Sequence, residues 1–253
     1  MSILLNNLSL RYGRRVLLEQ VSATFPQATL TALIGRNGTG KSTLLRAIAG
    51  LGPAEGEVEL CGRRIASLTA RERATTLAVV TTERIRIANL TCEEVVAFGR
   101  APYTDWIGNI QAEDRTVVER SLHLVGLDGF ARKTMDRMSD GECQRVMIAR
   151  ALAQDTPVIL LDEPTAFLDL PNRYALAMLL RKLAHEERKC ILFSTHDLDI
   201  ALSLCDTVAL LDTPHLYHLP AEEMVRSGLI ERLFAGEGLF FDPQRRSVGI
   251  RHE

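Results

Sequence analysis

The sequence lacks several features that would mark other classes of protein. No apolar run approaches the roughly 18 residues of a membrane span. The first residues lack the basic segment of a signal peptide, so we expect the chain to stay in the cytosol. Five cysteines lie dispersed without a Cys-x-x-Cys pair, which predicts reduced thiols. A basic excess is also missing, since 30 Lys and Arg stand against 32 Asp and Glu, and nucleic acid is not suggested as a partner.

The pattern of apolar residues predicts an α/β fold. The 253 residues are 46% hydrophobic and 25% charged, which is ordinary for a globular protein. Unbroken apolar runs predict strands that are buried on both faces of a mainly parallel sheet, at Leu30–Ile34, Leu77–Val80, Val158–Leu161, Ile191–Phe193 and Val208–Leu211. Helical patterns alternate with these runs, for example at Ser42–Leu51, Glu142–Ala153 and Arg173–His185.

Two parts of the chain depart from this alternation. Short strands predict an antiparallel β flank, at Ile3–Leu10, Val16–Leu18, Val21–Phe25 and Gly56–Leu60. From about Glu83 to Met138 there is no strong strand pattern, and helices are predicted at Cys92–Gly99 and Glu113–Val125. We interpret about residues 84–145 as a helical lobe inserted into a single domain that spans residues 1–253. The tail beyond Pro214 gives no chemical signal.

A glycine-rich segment predicts a phosphate-binding loop. It matches G-x-x-x-x-G-K-[ST] and follows the predicted strand Leu30–Ile34 directly. Its glycines let backbone N–H groups surround phosphate oxygens, and the next helix adds its positive N-terminal dipole. Lys41 is expected to reach the β- and γ-phosphates, and Ser42 to ligate Mg²⁺. The predicted nucleotide-binding residues of this loop are Gly35, Arg36, Asn37, Gly38, Thr39, Gly40, Lys41, Ser42 and Thr43.

Two carboxylates and a capped helix add to the phosphate-binding pattern. Asp162 and Glu163 follow the strand Val158–Leu161, at the strand end where ligands of open α/β sheets bind. We expect Asp162 to hold Mg²⁺ and Glu163 to act as the general base that polarises the attacking water. Ser139 begins an S-x-x-E capping box that Glu142 completes. Its turn could also direct N–H groups at a phosphate, and this second element suggests that it serves a nucleotide bound by another subunit.

These segments together resemble the ATP-binding subunit of an ABC transporter, which has a P-loop NTPase core. Six segments resemble motifs of that family in the family order: Tyr12 the aromatic A-loop residue, Gly35–Thr43 Walker A, Met138–Glu142 the LSGGQ signature, Val158–Glu163 Walker B, Ala166–Asp169 the D-loop, and Ser194–Asp197 the H-loop.

The resemblance implies further roles and partners. Tyr12 is expected to stack on the adenine of ATP, and His196 to contact the γ-phosphate and take part in catalysis. A homodimer would sandwich two ATP molecules, with Ser139 and Gly141 of one copy meeting the P-loop of the other. The family also implies polytopic permease subunits, a separate substrate-binding protein and a location on the cytoplasmic face of the cell membrane. The stretch Val95–Thr104 is similar to the group that imports iron-siderophore, haem and cobalamin, so uptake of a metal chelate is expected.

Some residues depart from the family pattern. Met138, Asp140 and Glu142 replace the Leu, first Gly and Gln of the signature. Thr81–Glu83 stands where the family has Pro-Gln, so no Gln is assigned here and we expect a water to complete the Mg²⁺ site. Two alternatives stay open: a soluble ABC ATPase that acts on a macromolecular assembly without membrane subunits, and a module that binds ATP but scarcely hydrolyses it. Glu163 argues against the second alternative.

Overall fold

The computed structural model of the chain describes residues 2–82, 89–104, 111–166, 168–234 and 238–250. The strands are β1 Ile3–Tyr12, β2 Arg15–Phe25, β3 Thr29–Ile34, β4 Glu55–Leu60, β5 Arg63–Arg64, β6 Leu77–Val80, β7 Val158–Leu161, β8 Cys190–Ser194, β9 Thr207–Asp212, β10 His215–Pro220, β11 Leu239–Asp242 and β12 Ser247–Ile250. The α-helices are α1 Lys41–Ile48, α2 Ala70–Thr76, α3 Cys92–Ala97, α4 Ala112–Leu124, α5 Asp140–Ala153, α6 Leu170–Glu186, α7 Leu198–Leu204 and α8 Ala221–Arg226. Short 3₁₀ turns lie at Ile65–Ser67, Phe98–Arg100, Met135–Arg137 and Leu229–Phe234.

A central sheet with strand order β10-β9-β3-β8-β7-β6 carries the predicted parallel strands. All neighbours in it pair in parallel except β10 and β9, which are antiparallel. Every residue of β3 is buried, because alternate side chains enter different cores. Leu30, Ala32 and Ile34 pack in the core on one face, whereas Leu33 packs in the core on the other. The α/β fold with a mainly parallel sheet is therefore confirmed.

The antiparallel flank is a second sheet with strand order β2-β1-β4-β5. It packs with α1 over one face of the central sheet. The two short strands predicted at Val16–Leu18 and Val21–Phe25 are in fact one strand, β2. The pairing of β1 with β2 shifts register near this point, and Gln20 has a φ of 47°. An irregularity of this kind bends a strand without ending it, which is why the sequence pattern looked interrupted.

The helices α3, α4 and α5 pack against one another and form a core that is continuous with one face of the central sheet. Thr91 and Ser139 cap α3 and α5, each in a capping box with the glutamate three residues later. These caps satisfy N–H groups of the first helical turn, which have no partner within the helix. The helices predicted at Cys92–Gly99 and Glu113–Val125 lie here with ends shifted by a few residues.

The tail beyond Pro214 contains regular structure that the sequence pattern did not reveal. The strand β10 extends the central sheet, α8 packs on it, and β11 and β12 form a separate antiparallel hairpin. Arg246 fixes the hairpin, because its guanidinium donates to the carbonyl oxygen of Leu202 and to the carboxylate of Glu222. Within the described ranges, no helix has both the length and the apolar character needed to cross a membrane.

Candidate functional site

The glycine-rich loop joins the end of β3 to the start of α1. Gly40, the N-cap of α1, has a φ of 105°, a conformation that L side chains rarely adopt. A Cβ atom at this position would also lie 2.9 Å from Cδ1 of Leu17, which packs beneath the loop. Gly38 has a φ of 75°. The loop therefore needs glycine at both positions, as the phosphate-binding pattern predicts.

Lys41 is buried at the base of this loop. Its Nζ donates to the carbonyl oxygens of Gly35 at 3.0 Å and Arg36 at 3.3 Å. Burial lowers the pKa of the Lys41 ammonium, and the negative charges of Glu163 and Asp162 offset part of that effect. The two carboxylates thus act electrostatically on the lysine that the sequence assigned to the phosphates.

The loop forms the floor of a cavity of about 380 Å³, which we call the cradle. The cradle is lined by Tyr12, Arg15, Leu17, Asn37, Gly38, Gly40, Lys41, Ser42, Thr43 and Glu163. Tyr12 is 76% exposed, so its ring is available at the rim for stacking on a base. Arg15 and Leu17 were not predicted. The pairing of Tyr12 with Arg15 in the β1–β2 hairpin brings Arg15 to the same rim, and this register is the signal that could have identified it.

The carboxylates meet a serine and a histidine at the carboxyl ends of β7 and β8. Oγ of Ser194 donates to Oδ1 of Asp162 at 2.7 Å and accepts from the backbone N–H of Glu163 at 2.8 Å. Nε2 of His196 lies 2.7 Å from Oε1 of Glu163. The structure therefore brings together the two residues that the sequence assigned to catalysis, and adds Ser194, for which the sequence suggested no separate role.

A second cavity of about 640 Å³ adjoins the cradle at Glu163, which lines both. Its wall includes His196, and also Phe234, Ser247 and Val248 from the tail. Sequence reasoning missed these tail residues, since only the folding of the tail places them near Glu163. Glu163 and His196 are thus reached from two sides, one formed by the phosphate-binding loop and one formed in part by the tail.

Ser139 lies at the exposed N-terminus of α5. Its Oγ accepts from the backbone N–H of Glu142 at 3.3 Å, and its own N–H donates to the Glu142 carboxylate at 2.8 Å. Nζ of Lys133 lies 3.2 Å from both oxygens of that carboxylate. These contacts lower the pKa of Glu142, chiefly through the N–H of Ser139. Among the residues that the structure describes, the lining of the cradle does not include Ser139 or Gly141.

The segment that replaces the family's Pro-Gln starts beside the carboxylates. Val80 pairs with Leu161, and the N–H of Asp162 donates to the carbonyl oxygen of Val80 at 2.8 Å. Thr81 and Thr82 continue from this point, whereas Glu83 lies outside the described residues.

The donors at this edge suit Mg²⁺. Ser42 and Asp162 supply a hydroxyl and a carboxylate, which are the hard oxygen ligands that Mg²⁺ prefers. No group of three or more His, Cys, Asp or Glu side chains that could hold a metal ion occurs in the described part of the chain. This donor set fits an ion that binds through one or two protein oxygens together with the phosphates of a nucleotide.

Comparison with known proteins identifies the family. A family model described as ABC transporter matches residues 18–166. A relative in Methanocaldococcus jannaschii, an uncharacterized ABC transporter ATP-binding protein, is 40% identical over 231 residues, which cover 90% of this chain and 79% of the relative. A probable siderophore transport system ATP-binding protein of Bacillus subtilis is 37% identical over 230 residues, covering 90% and 84%. The solved dimeric structure of a bacterial ABC transporter cassette has a TM-score of 0.74 at 28% identity, covering 87% of this chain and 98% of its own. The chain therefore belongs to the ABC transporter family, as one of its ATP-hydrolysing cassettes.

Proposed function

We propose that the chain powers the import of an iron-siderophore or a related metal chelate, as the ATP-hydrolysing subunit of a membrane transporter. The observation that carries the ATPase part is the contact of Glu163 with His196 beside the phosphate-binding loop. The cargo rests on the likeness to the Bacillus subtilis relative, whose name refers to siderophore transport. Since this and the other relative reported above are named for transport, a soluble ATPase without membrane subunits is not favoured.

The proposed site binds ATP through residues of the cradle. Tyr12 stacks on the adenine, and the backbone N–H groups of residues 35–43 bind the phosphates. Lys41 exchanges its contacts with the loop carbonyls for contacts with the β- and γ-phosphates, which restores a charged partner to a buried ammonium. Ser42 and Asp162 would hold Mg²⁺, which neutralises charge on the transferred phosphoryl group.

Hydrolysis then depends on Glu163 and His196. Glu163 accepts a proton from the water that attacks the γ-phosphorus. His196 is bonded to the carboxylate of Glu163 and orients it. We further propose that His196 contacts the γ-phosphate, as the resemblance to the family implies. The backbone of Glu163 is left-handed, with a φ of 48°.

The proposed assembly is a homodimer attached to permease subunits. Ser139 and Gly141 do not line the cradle of their own chain, so we assign them to the ATP bound by a second copy. We further propose that the chain is one domain with residues 84–145 as its helical lobe. This lobe would contact a polytopic permease at the cytoplasmic face of the membrane, and a separate substrate-binding protein would deliver the chelate.

Reconstitution tests this function. The chain, a polytopic permease that co-purifies with it and a substrate-binding protein for the chelate are placed in vesicles with ATP available to the chain, and uptake of a ferric siderophore is measured. We expect uptake that requires ATP and is lost in Glu163→Gln, although that variant still binds ATP. Turnover of ATP without any association with a polytopic membrane protein would contradict the transport part of the proposal.

A further inference from the structure

We propose that Ser194 is a positioning residue that fixes the metal-binding carboxylate of Asp162 and the backbone of the base Glu163 at the same time. The inference rests on the proposed function, because Asp162 and Glu163 receive their roles there. It adds a residue to the hydrolytic site for which the sequence pattern suggested no chemistry.

Strand order places Ser194 beside the carboxylates. The strands β7 and β8 are parallel neighbours, and Leu161 pairs with Phe193. The next residue on each strand is therefore Asp162 or Ser194, and the two lie side by side at the same edge of the sheet. Ser194 is fully buried, so water does not compete for its hydroxyl.

The hydroxyl of Ser194 both donates and accepts a hydrogen bond. As a donor it binds Oδ1 of Asp162 at 2.7 Å, and a hydrogen bond to a charged carboxylate is among the stronger kinds in proteins. Such a bond holds the carboxylate plane in one orientation. As an acceptor it takes the N–H of Glu163 at 2.8 Å, and this contact helps to hold the left-handed backbone at Glu163.

His196 gives Glu163 a second point of attachment at the end of β8. Its ring bonds the side chain of Glu163, while Ser194 bonds the backbone of Glu163. Residues at the end of β8 therefore hold both the backbone and the side chain of Glu163. Loss of the Ser194 hydroxyl leaves the N–H of Glu163 and one oxygen of Asp162 without this partner, so both groups gain freedom to move.

The test separates positioning of the metal ligand from a general structural role. Affinity for a fluorescent, non-hydrolysable ATP analogue is measured for the full chain in excess Mg²⁺ and in EDTA, and ATP turnover is measured in parallel. In Ser194→Ala we expect affinity in EDTA to stay within about twofold of the parent, while the gain that Mg²⁺ confers falls about tenfold, the scale of one hydrogen bond to a charged group. Turnover should fall at least as much. Ser194→Thr keeps the hydroxyl and should restore the response to Mg²⁺.

A matched control removes a buried hydroxyl elsewhere in the same sheet. Oγ1 of Thr31 lies 2.8 Å from Oγ1 of Thr207, away from the carboxylates, so Thr31→Val should lower the melting temperature and leave the Mg²⁺ response unchanged. In an Asp162→Asn background, Ser194→Ala should change affinity less than twofold further, because the two residues act as a unit.

The measurements distinguish failure of the inference about Ser194 from failure of the proposed function. If Ser194→Ala weakens binding equally in Mg²⁺ and in EDTA, or behaves like Thr31→Val, the hydroxyl is structural only and the inference is wrong. If the parent chain does not bind or hydrolyse ATP at all, the proposed function fails first.

Discussion

At the scale of single residues, binding and hydrolysis of ATP are assigned to different side chains that share one electrostatic environment. Lys41 is buried against loop carbonyls and acted on by two carboxylates, whereas Glu163 is bonded to His196 and lies where the two cavities meet. A change at Lys41 should therefore affect mainly the binding of nucleotide, and a change at Glu163 mainly its hydrolysis.

Lys41→Ala and Glu163→Gln test this separation. Lys41→Ala should weaken ATP binding about tenfold or more, because it removes a cation that would pair with phosphate. Glu163→Gln should keep the affinity within about twofold and lower turnover about 10²–10⁴-fold, since the amide keeps the shape and loses the basic oxygen. Equilibrium binding and steady-state hydrolysis measure the two effects. If Glu163→Gln hydrolyses ATP like the parent, another group is the base.

The contacts around Glu163 also show which features of single residues the sequence could predict. The phosphate-binding loop and the Asp162-Glu163 pair were found because each is contiguous in the chain and follows an apolar strand. The bond between Ser194 and Asp162 joins residues 32 positions apart and depends on β8 lying next to β7. Strand order is a property of the folded sheet, so no local pattern contained this contact.

At the scale of elements, the N-terminus of α5 carries Glu142 where the family has a glutamine. This glutamate forms a hydrogen bond and an ion pair within the chain. The Glu142 carboxylate accepts from the N–H of Ser139 and pairs with Lys133. A carboxylate in the first turn of a helix is also favoured by the helix dipole. These interactions keep the pKa of Glu142 low in the folded chain.

Glu142→Gln should lower the free energy of unfolding at pH 7 by about 0.5 kcal/mol, since a partly exposed ion pair is screened by solvent. The folded pKa of Glu142 lies below its unfolded value, so its contribution is complete above the unfolded pKa and is lost as the pH falls through the folded pKa. The difference between variant and parent should therefore shrink on acidification. Urea unfolding at pH 7 and at an acidic pH measures it, and a difference that grows towards acid would contradict the assignment.

The stretch Val95–Thr104, which resembles the metal-chelate group, begins within α3 and forms hydrogen bonds with residues at the end of α5. Nη1 of Arg100 donates to the carbonyl oxygen of Ala153 and its Nε to Asp114, each at 2.8 Å. The hydroxyl of Tyr103 donates to the carbonyl oxygen of Gln154 at 3.0 Å. In this chain the motif therefore fastens one part of the helical core to another, whichever cargo the transporter carries.

Gly99 allows this close approach. A Cβ atom there would overlap the carbonyl oxygen of Arg150 and lie 3.1 Å from Cβ of Ala153. Gly99→Ala should lower the free energy of unfolding by about 1–3 kcal/mol, the usual cost of overpacking. Gly52→Ala is the control, because a Cβ atom there meets only ordinary contact with Cβ of Arg46 at 3.9 Å, and it should be close to neutral. Chemical denaturation of both variants checks the comparison, which equal losses would overturn.

Elements with a clear apolar pattern in the sequence were predicted, whereas elements held in place by residues far away in the chain were not. The buried strands β3, β7, β8 and β9 coincide with predicted apolar runs, each of which stops at a small or polar residue. The hairpin of β11 and β12 was missed because it depends on distant anchors, such as the bonds of Arg246 to Leu202 and Glu222. Its Ser247 and Val248 reach the cavity of the base only through that anchoring.

At the scale of the whole molecule, the two segments of one chain that are predicted to bind phosphate do not line the same cavity. The cradle is built from β1, β2, the loop before α1, the first turn of α1, and Glu163 after β7. Ser139 caps α5 and does not line the cradle, although its exposed helix N-terminus suits an anion. In the proposed dimer a second copy would bring its Ser139 to this cradle, and the similar bacterial cassette was solved as a dimer.

The dimer should therefore require bound ATP. In Glu163→Gln, which cannot open the dimer by hydrolysis, ATP with Mg²⁺ should shift the chain from monomer to dimer in light scattering, and EDTA should reverse the shift. Adding Ser139→Arg should abolish the dimer, because a long cation fills the space of the phosphate contact, while nucleotide affinity of the monomer stays within about twofold since its own cradle is unchanged. Ser67→Arg, at an exposed serine in a 3₁₀ turn, is the control and should leave the dimer intact. A dimer that forms equally with Ser139→Arg would assign the interface to another surface, and a monomer in saturating ATP and Mg²⁺ would contradict the sandwich itself.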